Sequence, residues 1–340
     1  MKLINRDNMA EEVSIQYRWW CGLLACAALM GVVIVVGPYS DHIEFLPDQG
    51  ASWYYWKLPE ANVLSQLTAW LGYLCHQLSM WAIIYYAVQA KPNYSKKLHR
   101  FNVLALAVNG AFVLLHILQT KIFYDGLAQD TSIFSSFGSV VVMLFMIFIM
   151  ENKRRGLFFG KKVSLLFSVG DNLKRYHGYY FSWAIIYTFW YHPIETTIGH
   201  LAGTFYTIML MLQGSLFFTR SHTNRWWTVS LEALFSVHGA LVAYFMSKTG
   251  ASASMFLLTG LGAFTVTQMY GIPLSALQRK LLLVFTLAAF VVFGVLEATE
   301  AQRLPVVMGA RYVGIFILAL LLMLLTQIFL WFNRRKKVTA

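Results

Sequence analysis

The run Trp190-Tyr191-His192-Pro193-Ile194-Glu195-Thr196-Thr197-Ile198-Gly199-His200 places two imidazoles and a carboxylate where one apolar segment ends and the next begins. His192 and Glu195 stand three residues apart and His200 five further on, so they converge only if the chain turns between them. Pro193 ends or bends a helix at that point, and Thr196 or Thr197 is suited to cap the next one. Imidazole and carboxylate ligands together suit iron, copper or zinc. Glu195 is expected to act as a metal ligand or as a proton donor, although the motif matches no established ligand signature.

The chain has nine histidines. His42, His99, His177 and His222 fall in loops or at segment ends and read as solvated. His76, His116, His192, His200 and His238 fall inside apolar segments or at their outer ends, where an ionisable residue is costly and marks a functional site. At about 1.5 Å rise per residue, His116 lies roughly 8 Å below the outer end of its segment, His238 about 13 Å and His76 about 18 Å. A cytochrome with two stacked haems needs an axial pair near each face, and here no histidine occupies the inner half. The placement fits one outward-facing centre: His76 and His238 as axial ligands of a haem b, with His116, His192 and His200 holding a non-haem iron, copper or zinc. Gln77, Asn109 and Gln119 read as partners that orient imidazoles or bond between helices.

The elements that must position these groups are membrane helices. Of 340 residues, 58% are hydrophobic and 12% charged, in long apolar runs with short polar breaks. This is the profile of an all-α, polytopic transmembrane bundle. Ten segments approach the roughly 20 residues a span requires: 19–38, 64–89, 101–121, 133–150, 178–192, 197–219, 227–247, 254–270, 281–298 and 308–332. Every second loop is basic. Lys91, Lys96, Lys97 and Arg100 follow the second segment, and Lys153, Arg154, Arg155, Lys161, Lys162, Lys174 and Arg175 the fourth. Arg220 and Arg225 follow the sixth, Arg279 and Lys280 the eighth, and Arg334, Arg335, Lys336 and Lys337 the tenth. The alternate loops carry Asp41, Glu44, Asp48 and Glu60, then Asp125 and Asp130, then Glu300. By the positive-inside rule both termini are cytoplasmic.

The formal charge of +12 is thereby absorbed by orientation and anchoring, and no nucleic-acid partner is expected. The expected unit is a single membrane domain over 1–340. It has a cytoplasmic segment at 1–18, an outer loop at 39–61 that holds a short surface helix, a basic cytoplasmic loop at 151–177 and a basic tail at 333–340. The fifth segment is short, which draws the turn after it below the outer surface. Cys21, Cys26 and Cys75 lie inside apolar segments and read as small buried residues. The first apolar run lacks a small-residue cleavage site and reads as a retained helix. Charge bias and the lack of targeting signals suit a bacterial inner membrane.

Three functions compete on this reading. The first is a redox metalloprotein of the outer half, fed by quinol or another membrane electron donor. The second is a proton-coupled transporter or channel using buried His and Glu. The third is a membrane-embedded zinc hydrolase acting on a lipid. A non-catalytic subunit of a larger membrane complex is also compatible with the sequence.

Overall fold

A computed structural model describes residues 11–16, 19–40, 42–50, 53–246 and 253–297, and then 302–303, 305, 309, 313–315, 317–318 and 320–325. The expected basic tail, most of the polar start, Asp41, Glu300 and much of the tenth segment lie outside the described residues. The described fold is helical, with one small ribbon in which β1 (Glu12–Gln16) pairs antiparallel with β2 (Lys97–His99). The helices are α1 (Trp19–Val36), α2 (Val63–Ala90), α3 (Arg100–Ile122), α4 (Ile133–Arg155), α5 (Phe167–Tyr191), α6 (Ile198–Ser215), α7 (Arg225–Met246), α8 (Ala253–Val266) and α9 (Ala276–Leu296). A further apolar helical run at Val313–Leu325 is described in part.

Among the described residues five helical spans are long and apolar enough to cross a membrane: Trp20–Ser40, Arg100–Ile122, Ile133–Arg155, Arg225–Phe245 and Ala276–Leu296. The 28-residue α2 is long enough but less apolar, because its polar residues point inward. Ser65, His76 and Gln77 are buried, while Leu64, Leu67, Leu71, Leu74 and Leu78 form an exposed stripe three or four residues apart. A helix with its leucines out and its polar groups in is built for hydrocarbon around it and hydrogen bonds within.

The chain divides into two compact units, Met1–Val140 with Gly178–Ala253, and Val141–His177 with Ser254–Ala340. The helices α4 and α5 each run from one unit into the other. In the first unit α2 packs on α3, α3 and α1 pack on α6, and α6 packs on α7. The second unit has its own apolar core of Phe148, Ile149, Leu157, Leu166, Val169, Ala263 and Ile315.

The register of α3 explains much of the first unit. Asn102, Asn109 and His116 recur every seventh residue, which keeps them on one buried face. Asn102 Nδ2 donates to Ser215 O (2.7 Å) and Phe217 O (2.9 Å) at the end of α6. Asn109 Nδ2 donates to Ser215 Oγ (2.8 Å). Interhelical bonds of this kind contribute about 1 kcal/mol each, and here they fix the register of α3 on α6.

Four expectations are corrected. The fifth segment is not short: α5 begins at Phe167, not at 178, because its basic first turns are helical too. The described residues of the 39–61 loop form no surface helix. After a 3-10 turn at Gly37–Ser40 it runs irregularly and turns Tyr54 inward, since its aromatic rings find more apolar area against the bundle than at the surface. His99 is not solvated but buried, stacked on Phe101 with ring centroids 4.9 Å apart. Cys21 and Cys75 are not buried but exposed, on α1 and α2, so of the three cysteines the expectation holds for Cys26.

Candidate functional site

The turn between α5 and α6 is made by the residues the sequence singled out. The helix α5 stops at Tyr191, one residue before His192 and Pro193. Thr197 then caps α6, its hydroxyl accepting from the His200 backbone N–H. Ile194 N–H donates to Thr120 Oγ1 at 3.2 Å, which fastens the turn to α3.

Tyr54, from the 39–61 loop, closes the site. Its hydroxyl lies 3.0 Å from His192 Nδ1 and 3.1 Å from His200 Nε2, so one phenol bridges two imidazoles. On the far side His200 Nδ1 meets Thr197 Oγ1 at 2.8 Å. The Tyr54 ring packs edge-on against Tyr191, and Trp56 packs edge-on against His200. Burial, helped by the neighbouring acidic groups of Tyr191, Glu195 and Asp125, holds the Tyr54 phenol well above its ordinary pKa, so it keeps its proton.

That single proton has a consequence. If Tyr54 O–H donates to His192 Nδ1, it must accept from His200 Nε2–H, and His192 then carries its proton on Nε2. If it donates to His200 Nε2, His192 must donate from Nδ1, and its Nε2 is a bare acceptor. The two histidine tautomers are thus coupled through one oxygen. Among the described residues His192 Nε2 has no hydrogen-bond partner, and neither ring nitrogen of His238 has one. His192, His200 and His238 are half-buried. His238 lies within electrostatic reach of both the others, its Nε2 close above Gly203 of α6 and its ring against Tyr206.

His76 and His116 are placed differently. Both are fully buried, and the ring nitrogens of both are taken. Trp190 Nε1–H donates to His76 Nδ1 (3.2 Å), and His76 Nε2–H donates to Asn109 Oδ1 (2.7 Å). His116 Nε2–H donates to His192 O (2.9 Å), and its Nδ1 lies 3.0 Å from Gln119 Oε1. The Trp190 indole stacks on His116 with centroids 4.2 Å apart. Either histidine would have to give up a protein partner to bind a metal.

Glu195 is buried beside Tyr124. Among the described residues no three His, Cys, Asp or Glu side chains are grouped to hold a metal ion. The structure therefore joins His192 and His200 through the Tyr54 hydroxyl, has His238 nearby, and ties His76 and His116 into the packing around Trp190.

Sequence reasoning missed Tyr54 and Trp190. Tyr54 sits in Trp53-Tyr54-Tyr55-Trp56, which reads as a boundary belt. Four consecutive rings on an extended chain cannot all face one way, and that alternation was the available signal. Trp190 needs Gly72, 118 positions earlier in the chain, to leave room for it, and no local pattern shows that.

No family model matches the chain, and neither a curated protein nor a solved structure does.

Proposed function

We propose that this chain is a ten-span protein of the bacterial inner membrane, with both termini cytoplasmic, and that it works as a proton-coupled transporter. Supporting the alternation of the loops, those expected on the same side meet. Tyr54 of the first outer loop reaches His192 and His200, and Gln129 Nε2 donates to Leu58 O. On the basic side Ser95 N–H donates to Phe218 O and Phe159 N–H to Val266 O.

The observation that carries the proton-handling reading is the Tyr54 hydroxyl between His192 Nδ1 and His200 Nε2. Shifting that chain from one polarity to the other moves a proton equivalent between Thr197 and His192 Nε2 with no change of backbone. Each member both donates and accepts, which a relay requires. Below it the polar column changes character. The Trp190 indole is donor-only, and the Asn109 amide is fixed by Ser215 and His76. Neither passes a proton on, so the relay does not continue through Trp190 and Asn109.

The test is reconstitution in vesicles containing a pH-sensitive dye, challenged with a panel of small polar solutes. A class of solute that drives proton entry in the native protein and fails to do so in Tyr54→Phe supports the proposal. Equal proton movement in the native protein and Tyr54→Phe would overturn it.

A second reading rests on the bare nitrogens of His192 and His238. Two accessible imidazoles, one of them oriented through its other nitrogen by Tyr54, form the start of a transition-metal site. Stoichiometric iron, copper or zinc in the purified protein, lost in His192→Ala and in His238→Ala, would favour this redox alternative.

A further inference from the structure

The second unit carries a feature that proton handling does not use. Immediately after Arg155, where α4 ends, the chain makes a tight turn between Gly156 (φ 76°) and Gly160 (φ 80°). Leu157 N–H donates to Lys161 O (2.9 Å) and Lys161 N–H to Phe158 O (2.7 Å). Asn152 clamps the far side, its amide both donating to and accepting from the Val163 backbone. Phe159 N–H is held by Val266 O at 2.8 Å. A turn fixed from three sides is a rigid platform.

This platform displays its residues in an unusual way. Leu157 is fully buried, whereas Phe159 is 50% exposed and Leu165 59% exposed. Phe159 has φ 45°, a left-handed conformation that non-glycine residues seldom adopt. Lys161 and Lys162 beside it are exposed. The ring of Tyr270 lies against Gly160, and the Arg279 guanidinium lies over that ring at 5.1 Å, with exposed Lys280 next in sequence. Arg279 Nε has no hydrogen-bond partner among the described residues. The acids nearby are already used: Glu151 pairs with Arg154 and Asp171 with Lys153. Lys161, Lys162, Arg279 and Lys280 have no ion-pair partner among the described residues.

We infer that the 156–166 turn and the start of α9 form a docking surface for anionic phospholipid headgroups of the adjoining leaflet. Phe159 and Leu165 enter the acyl boundary, and Lys161, Lys162, Arg279 and Lys280 meet the phosphates. Charge complementarity selects this occupant, since the surface has four cations without acids. So does position, because α4 is a membrane-crossing candidate that ends at the residue before the turn. Apolar side chains interleaved with lysine and arginine are what an anionic interface recognises, each basic group strengthening attachment about five-fold.

The test uses the full chain purified in neutral detergent, with its melting temperature followed as phosphatidylglycerol or phosphatidylcholine is added. Phosphatidylglycerol should raise the midpoint by several degrees more than phosphatidylcholine, and 0.5 M salt should remove most of the difference. The Lys161→Gln, Lys162→Gln, Lys280→Gln triple variant should need at least ten-fold more phosphatidylglycerol for the same rise. The matching lysine-to-arginine triple should respond like the native protein. Phe159→Ser, which changes no charge, should weaken the response to both lipids. Equal responses to the two lipids in the native protein would overturn the inference and leave this surface to a soluble partner. So would an undiminished preference in the glutamine triple.

Discussion

Gly72→Ala offers a sharp test of how the histidines are sorted. A methyl group at Gly72 would come within 2.5 Å of Trp190 Cζ3 and 2.8 Å of Cζ2, against ordinary carbon contacts of about 3.5–4.0 Å. Trp190 is fully buried and cannot swing clear, because it is stacked on His116 and its Nε1–H is bonded to His76. Cη2 comes nearer still, so the ring must shift by about 1.5 Å. Overpacking of this kind costs about 1–3 kcal/mol. Breaking the Trp190–His76 bond strands His76 Nδ1 in a dry site for about 1–3 kcal/mol more. A total of roughly 2–6 kcal/mol lowers the melting temperature in detergent by several degrees or more. Trp190→Phe alongside Gly72→Ala should recover part of the loss, because the smaller ring removes the clash but not the missing bond. If Gly72→Ala melted within a degree of the native protein, the Trp190 packing and the structural role assigned to His76 would both be wrong.

Other outcomes follow from the same geometry. Gly203→Ala should push His238 aside, since a Cβ there lies 2.9 Å from its Nε2; on the metal reading, metal content should fall as it does in His238→Ala, while the melting temperature changes little. His76→Gln and His116→Gln should lower the melting temperature without altering the Tyr54-dependent proton signal, because both residues hold packing and not the relay. Burial raises the Asp125 carboxyl to about pH 6, against the Leu58 N–H, Lys57 and Gln129, which favour its charge, and together with Asp130, which opposes it. The native state then holds that proton more tightly than the unfolded chain. Its contribution is fully present below about pH 4 and is lost as pH rises to about 6, up to roughly 2–3 kcal/mol. Melting curves over that range should show the decline, and Asp125→Asn should flatten it.

The sequence made the helices legible because hydrocarbon imposes a length and an apolar stripe that any span must show. α1, α2 and α3 fall within a few residues of their expected limits. It misplaced the start of α5 because Asp171, Lys174 and Arg175 look like loop residues but are helix-compatible, and charge alone does not separate the two. The turn from His192 to His200 was visible through Pro193 and Thr197, both local signals. Tyr54 and Trp190 were not, because their roles depend on contacts with residues more than a hundred positions away. Position within apolar segments alone also grouped His76, His116, His192, His200 and His238 together. What separates them is whether each ring nitrogen already has a partner, which only the fold reveals.

The central claim is that Tyr54 makes His192 and His200 share one proton. It is tested most directly by nitrogen NMR of histidine-labelled protein in lipid, with His192→Asn and His200→Asn used to assign the two rings. In the native protein the two rings should carry matching tautomers and change them together as temperature is varied, and in Tyr54→Phe each should take its own tautomer. Rings whose tautomers already differ in the native protein, with spectra unchanged by Tyr54→Phe, would contradict it.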